Sequence, residues 1–204
     1  MKSLLIDFDG IIFNNKRITE RIKHRSIQYI SSRKHISYPE AKIMNKLGYT
    51  KLGHTSRIIS DNHVHDYNVF VFDDNMFRYI YDEINEKDIR LIQQIIDVKN
   101  KRNMELVLCT NAPYNYCKHV VTCTGSSMDH LFHPSIAFTS DNGICKPLQQ
   151  YYENIEKTCE PNDDSYYHFI DDSIINITPC LQRNKWNACV ISKESELFEY
   201  LNNF

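Results

Sequence analysis

Two carboxylates, Asp7 and Asp9, close the apolar run Leu4-Leu5-Ile6 near the amino end of a 204-residue chain. Such a run predicts a buried strand, and side chains at i and i+2 of a strand point the same way. Two like charges so placed repel each other unless a cation or a retained proton offsets the cost. Comparable polar groups follow other apolar runs: Thr110 and Asn111 after "MELVLC", Lys146 and Pro147 beyond "PSIAFTSD", Asp171 and Asp172 at the end of "YYHFIDD". If these runs are parallel strands of one sheet, their carboxyl ends share an edge, where ligands bind at the switch in strand order. Carboxylates, a hydroxyl and an ammonium then converge from four distant segments. The carboxylates can hold a hard cation such as Mg²⁺, which takes oxygen ligands and keeps waters for a phosphate. Thr110 and Lys146 can hold that phosphate.

The elements that must position these groups are legible as alternating patterns. A fifth apolar run, "NACVIS" from Asn187, follows the other four. Between them, "EKDIRLIQQIIDVKNKR" places Ile89, Ile92 and Ile96 on one helical face, and "KPLQQYYENIEK" does the same with Leu148, Tyr151, Tyr152 and Ile155. "SESELFEYLNNF" closes the chain as a helix. Strand and helix in alternation imply an α/β fold with a Rossmann-like, mostly parallel sheet. Residues 14–85 differ, because they contain no comparable buried strand. "ITERIKHRSIQYISSRK" carries Ile18, Ile22, Tyr29 and Ile30 on a helical stripe, and "PEAKIMNKLG" has Pro39 at a helix start and Gly48 just past its end. The expected organisation is an α/β core of residues 1–13 and 86–204, with an all-helical cap, residues 14–85, inserted after the first strand.

In these motifs the chain resembles the haloacid dehalogenase (HAD) superfamily. "DFDGI" at Asp7 looks like the family's first motif, "LVLCTN" its second, Lys146-Pro147 its third and "HFIDDS" its fourth, all in order across the core. "CTNA", "FIDDSIINI" and "LGYTKLGHT" resemble the pyrimidine 5′-nucleotidase branch. The resemblance implies hydrolysis of a phosphate ester through a phospho-aspartate. Asp7 is the implied nucleophile, and Asp9 the general acid and then base. Asp7, the main-chain carbonyl of Asp9, and Asp172 are the implied Mg²⁺ ligands, with Asp171 assisting directly or through water. Thr110, Lys146 and the amides around Asn111 would bind the phosphoryl oxygens. His54, in "LGHT", falls in the cap region that faces substrate in relatives. One departure is Ile11, at a place usually held by Thr or Val.

Composition narrows the partners. A formal net charge of −2 gives no broad attraction to nucleic acid or acidic membranes. Seven cysteines without a CxxC pair read as reduced thiols of a cytoplasmic protein, and no stretch resembles a signal peptide or a membrane span. The expected partner is a small phosphorylated metabolite, a nucleoside 5′-monophosphate before a sugar phosphate or phosphoglycolate. A signalling receiver domain uses similar groups, but its Lys follows both its acidic pair and its phospho-acceptor, whereas Lys146 precedes Asp171. A catalytically dead scaffold that binds a protein would be favoured by loss of Asp7, Asp9 or Lys146, and all three are present. Asp73-Asp74 mimics the fourth motif but reads as a cap turn, and His63 and His65 read as exposed loop residues.

Overall fold

The computed structural model describes residues 2–162 and 164–204. Its sheet has five parallel strands in the order β3-β2-β1-β4-β5. β1 (Lys2–Ile6) is central and is followed by four helices, α1 (Lys16–Lys34), α2 (Tyr38–Leu52), α3 (Val64–Val71) and α4 (Asp74–Glu83). Then come α5 (Glu86–Arg102), β2 (Met104–Cys109), α6 (Tyr114–Cys123), α7 (Met128–Leu131) and β3 (Ala137–Phe138). The chain crosses to the other side of β1 through α8 (Gln149–Thr158) and ends with β4 (Tyr167–Asp171), α9 (Ile174–Leu181), β5 (Trp186–Val190) and α10 (Glu194–Asn203). No helix among the described residues is long and apolar enough to cross a membrane.

The alternation of side chains along each strand divides the core in two. Leu4, Ile6, Leu106 and Leu108 face one layer, where Ile92, Ile95, Tyr116, Val120, Leu197 and Leu201 cover them. Leu5, Val107, Cys109 and Phe169 face the other, against Tyr151, Tyr152, Ile155, Ile177 and Trp186. Both faces of the sheet are therefore apolar, which explains why its strands read as continuous hydrophobic runs. The "YYENI" tyrosines are packing residues: the Tyr151 hydroxyl donates to the Phe138 carbonyl and that of Tyr152 to the Asn176 carbonyl.

Residues between β1 and α5 carry a third apolar cluster, Ile27, Tyr29, Ile30, Ala41, Tyr67 and Val71. Their root does not stand apart, because Ile18, Met76 and Ile80 pack into the sheet-side core. The two chain crossings at this root are braced together. Asn15 caps α1 by accepting from the Arg17 and Ile18 amides, and its Nδ2 donates to Asp88 at 2.8 Å and to the Glu83 carbonyl at 3.0 Å. Asp88 in turn accepts from the Asn85 amide in the capping box of α5.

Three local expectations are corrected. Gly48 does not end α2, which continues to Leu52 and closes at Gly53 with φ of 72°. A Cβ on Gly48 would meet the Thr55 main chain at 3.3 Å, so that glycine serves close packing, not termination. Ile89 is exposed, and the buried face of α5 runs through Asp88, Leu91, Ile92, Ile95 and Ile96. The "PSIAFTSD" run pairs with β2 over only two residues, Ala137 and Phe138, before the backbone turns at Ser140–Asn142.

Asn15→Ala removes a helix cap and one hydrogen-bond partner of a buried carboxylate. It is expected to cost about 1–3 kcal/mol, several degrees in Tm for a chain of this length, as read by thermal or urea unfolding. An unchanged Tm would show that the brace carries no stability.

Candidate active site

The strand order puts β1 between β2 and β4, so the loops after these three strands meet at one edge. β1 itself ends at Ile6, and Asp7 and Asp9 lie just beyond it. They are not two like charges side by side on a strand, because their carboxylates have different partners. Asp7 Oδ1 accepts from the Phe8 amide at 2.8 Å and lies 3.0 Å from Lys146 Nζ. Asp9 Oδ1 accepts from the Tyr116 hydroxyl at 2.7 Å. Just after them the backbone reverses at Gly10, whose φ of 85° a side chain would resist, and a Cβ there would run into the Asp172 carboxylate. Ile11 is buried in the core beneath this turn.

Lys146 is the centre of the cluster. It is wholly buried, with Nζ 2.5 Å from Asp171 Oδ2 and 2.7 Å from the Cys109 carbonyl, in addition to Asp7. Burial alone would depress its pKa, but Asp171 and Asp7 outweigh that and hold the ammonium firmly charged. Asn111 fixes its backbone: Oδ1 accepts from the Lys146 amide at 2.7 Å and Nδ2 donates to the Lys146 carbonyl at 2.9 Å. The same Nδ2 reaches the Gly53 carbonyl at 2.9 Å, tying the end of α2 to this loop. Thr110 is buried at the floor, its Oγ1 accepting from the Ala112 amide.

Asp171 and Asp172, adjacent in sequence, differ in situation. Asp171 is saturated, accepting from Lys146, from the Ser173 amide at 2.8 Å and from Asn176 Nδ2 at 3.0 and 3.1 Å. Asp172 is exposed to the cleft. One oxygen each from Asp7, Asp171 and Asp172 lies within 4.8 Å of the others. Burial, and then the neighbouring carboxylates against the opposing pull of Lys146, push Asp7 well above the usual carboxylate range. Burial and then Asp171 raise Asp172 to about 6. One ammonium thus does not neutralise three carboxylates, and an all-oxygen donor set short of positive charge fits a hard divalent cation. The Asp9 carbonyl receives no backbone hydrogen bond among the described residues, so it too is free to ligate.

These groups line a cleft of about 700 Å³ whose opposite wall is α1, α2 and the turn after α2. Of the residues anticipated from sequence, Asp7, Asp9, Thr110, Asn111, Lys146, Asp172 and His54 all line it, and Asp171 lies behind them. His54 is buried with its Nδ1 2.8 Å from Ser56 Oγ and its ring edge-on to Tyr67. Burial, then the Arg57 charge, depress its pKa to about 4 against the opposing Asn111 main chain, so the ring is neutral at pH 7. Asp73 caps α4 through the Met76 amide and pairs with Arg25 at 2.7 Å, while His63 contacts Tyr29 and Asp66. Neither belongs to a metal-binding group among the described residues.

Two residues were not anticipated. Tyr116 reads as a core aromatic of α6, which it also is, packed on Phe8 and Phe72 with ring centroids 5.9 and 4.8 Å away. Asn176 reads as an ordinary helix residue. The only signal for either is a polar atom on a buried helical position.

Removing the Lys146 ammonium leaves Asp7 and Asp171 buried without their counter-charge. Lys146→Met is expected to lose about 3–5 kcal/mol and on the order of 10 °C in Tm. Added Mg²⁺ should then raise Tm more in the variant than in the parent, since cation and ammonium share the same carboxylates. An equal rise in both, by differential scanning fluorimetry, would separate the acidic cluster from metal binding.

No protein-family model and no curated protein matches the sequence. Solved structures do match over nearly the whole chain. They include a HAD phosphatase from Thermococcus onnurineus, 18% identical with 98% of each chain covered and a TM-score of 0.57. A protein of Bacillus subtilis, classed as a HAD hydrolase and solved bound to magnesium, is 16% identical over 98% of each chain with a TM-score of 0.59. L-2-haloacid dehalogenase from Xanthobacter autotrophicus is 12% identical, covering 100% of this chain and 84% of its own, with a TM-score of 0.52. At these identities the likeness is one of architecture: the chain has the α/β fold of the HAD hydrolases, with its acidic cluster at the carboxyl edge of the central strands.

Proposed function

We propose that the chain is a Mg²⁺-dependent phosphomonoester hydrolase that works through a phospho-aspartate on Asp7, with nucleoside 5′-monophosphates as the favoured substrates. The observation that carries this reading is the meeting, in one cleft, of a buried Lys146–Asp7 pair, an oxygen-only acidic cluster and a second carboxylate, Asp9, held apart by Tyr116. A fold alone would not suffice, since the same architecture hosts unlike reactions.

Asp7 Oδ1 is occupied by Lys146 and the Phe8 amide, which leaves Oδ2 to attack phosphorus in line. The P–O bond to the leaving alcohol breaks as the new P–O bond to Asp7 forms. Asp9 gives its proton to the departing oxygen; burial above all, against the lowering hydrogen bond of Tyr116, raises its pKa to about 6, so the protonated form is accessible near neutrality. The carboxylate then takes a proton from water, whose oxygen attacks phosphorus and releases inorganic phosphate and Asp7. The Thr110 hydroxyl and the amides around Asn111 bind the phosphoryl oxygens. Lys146, whose three N–H groups are held by Asp7, Asp171 and the Cys109 carbonyl, offsets charge in the transition state through its field unless it exchanges Asp7 for a phosphoryl oxygen. Asp7, Asp172 and the Asp9 carbonyl would hold Mg²⁺, which neutralises the phosphate dianion against Asp7. Asp171, already saturated, fixes Lys146 and the start of α9 from behind.

The partner on this reading is a small phosphorylated metabolite, and the reaction is cytoplasmic. Tyr49, Tyr67 and Phe72 give the cleft an aromatic wall against which a nucleoside can lie. His54 contributes shape there as a neutral ring, its Nδ1 being engaged.

Release of inorganic phosphate from nucleoside 5′-monophosphates and from p-nitrophenyl phosphate, with Mg²⁺ and with excess chelator, tests the assignment. Turnover should need the metal, and acid-quenched samples should contain phospho-enzyme that Asp7→Asn lacks. Absence of turnover on every phosphomonoester, or full rates in chelator, would overturn it and leave a binding scaffold. Tyr116→Phe should lower kcat on a nucleotide roughly tenfold, the worth of one buried charge-assisted hydrogen bond. On p-nitrophenyl phosphate, whose leaving group needs little acid, the loss should be much smaller. Equal losses on both would make Tyr116 a packing residue only.

A further inference from the structure

One stripe of α2 lines the cleft: Lys42, Asn45, Lys46, Tyr49 and Thr50, at i, i+3, i+4, i+7 and i+8. The carboxyl end of this helix is fixed at the reaction centre, where the Gly53 carbonyl accepts from Asn111 and a Cβ on Gly53 would collide with the Lys146–Pro147 main chain and ring. The stripe therefore leads away from the phosphate end of the cleft. Along the axis Lys46 lies about 10 Å from Gly53, and Lys42 about 6 Å farther.

Three residues of this stripe, Lys42, Asn45 and Lys46, offer the cleft donors alone. Among the described residues neither Lys42 nor Lys46 has an acidic partner, while Lys23 across the cleft is paired with Glu20 at 3.3 Å. Asn45 is nine-tenths buried, and its Oδ1 is taken by the Thr55 hydroxyl at 2.9 Å. Its Nδ2 has no protein partner among the described residues, so the amide turns only N–H groups to the cleft. Two ammonium groups and an amide donor suit a ligand group made only of acceptors and bearing negative charge.

We infer that Lys42, Asn45 and Lys46 form a distal subsite for a second phosphate, so that the substrates are phosphomonoesters carrying another phosphate across a nucleoside or sugar. This rests on the phosphomonoesterase reading for the chemistry at the other end of the cleft, and it narrows the favoured substrate from a plain monophosphate to one that carries a second phosphate. In that arrangement the scissile phosphate lies over Asp7, and Tyr49 walls the body of the molecule. The second phosphate gathers three donor groups that no acceptor among the described residues uses. A neutral base or hydroxyl at that place would leave the ammonium groups unmatched. The preference should therefore be electrostatic and should weaken with salt.

The test compares kcat/KM within pairs that differ only in the second phosphate. One pair is a nucleoside 3′,5′-bisphosphate against its 5′-monophosphate, and the other a hexose 1,6-bisphosphate against the 6-phosphate. The parent should prefer the bisphosphate by at least about tenfold in one of the pairs, and which pair does so names the carrier. Lys42→Gln with Lys46→Gln, both at exposed positions, should bring that ratio near one, and Lys42→Glu with Lys46→Glu should bring it below one. Parity in both pairs for the parent, or an unchanged ratio in the double variants, overturns the subsite. Should no phosphomonoester be turned over, the functional reading fails by itself. Calorimetric titration of the same ligands in the presence of Mg²⁺ then decides the subsite, a tenfold tighter bisphosphate supporting it and equal affinities refuting it.

Discussion

The Lys146 ammonium, buried between Asp7 and Asp171, is the interaction on which the site depends. Burying one charge is costly, and burying two carboxylates around one ammonium is tolerable only with good geometry and further hydrogen bonds. The protein supplies both. Lys146 donates to the Cys109 carbonyl as well as to the acids, Asp171 is saturated by Asn176 and the Ser173 amide, and Asn111 clamps the Lys146 backbone from either side. Apart from Asn176, on α9, these residues sit at or just beyond the carboxyl end of a strand or in the loop it leads to. The parallel order β2-β1-β4 is what lets them reach one point.

That clamp also reaches across the cleft. Asn111 holds the Gly53 carbonyl with the same amide that holds Lys146, Asn68 of α3 donates to Ser140 at 2.8 Å, and the Phe72 ring leans on Tyr116, the residue that orients Asp9. The helices after β1 therefore touch the loops of Asn111 and Ser140 at one place and the tyrosine that holds Asp9 at another. A substrate that draws α2 closer would press on both. Closure of this kind would exclude water from the acids and strengthen their interactions.

The strands and the four polar clusters were legible because they rest on the strongest sequence signals. Apolar runs flanked by Asp, Thr, Asn and Lys have few other uses, and a parallel sheet sends those flanks to one edge. What escaped rests on pairings between distant segments. Tyr116 and Asn176 each do two things, packing and hydrogen bonding, and only the first leaves a trace in periodicity. Gly48 and Gly53 look alike in sequence. The left-handed backbone at Gly53 and the close approach of Thr55 to Gly48 assign termination to one and packing to the other. On α5 the apolar stripe was misplaced by one residue at its start, because Asp88, a polar residue, holds the inward position there through its bond to Asn15.

The division between Asp7 and Asp9 follows from their second partners more than from their spacing. Burial raises Asp7, but the ammonium 3.0 Å away opposes the proton and favours the ionised form, and the same ammonium lies close to whatever Asp7 would attack. A carboxylate whose only side-chain partner among the described residues is a neutral hydroxyl, in a buried setting, can keep a proton, and Asp9 is suited to give it up. Exchanging the two surroundings would exchange the roles. The asymmetry is set from outside the pair, by a lysine after β3 and a tyrosine on α6. Two aspartates separated by one phenylalanine can therefore do different chemistry although the sequence presents them as equivalents.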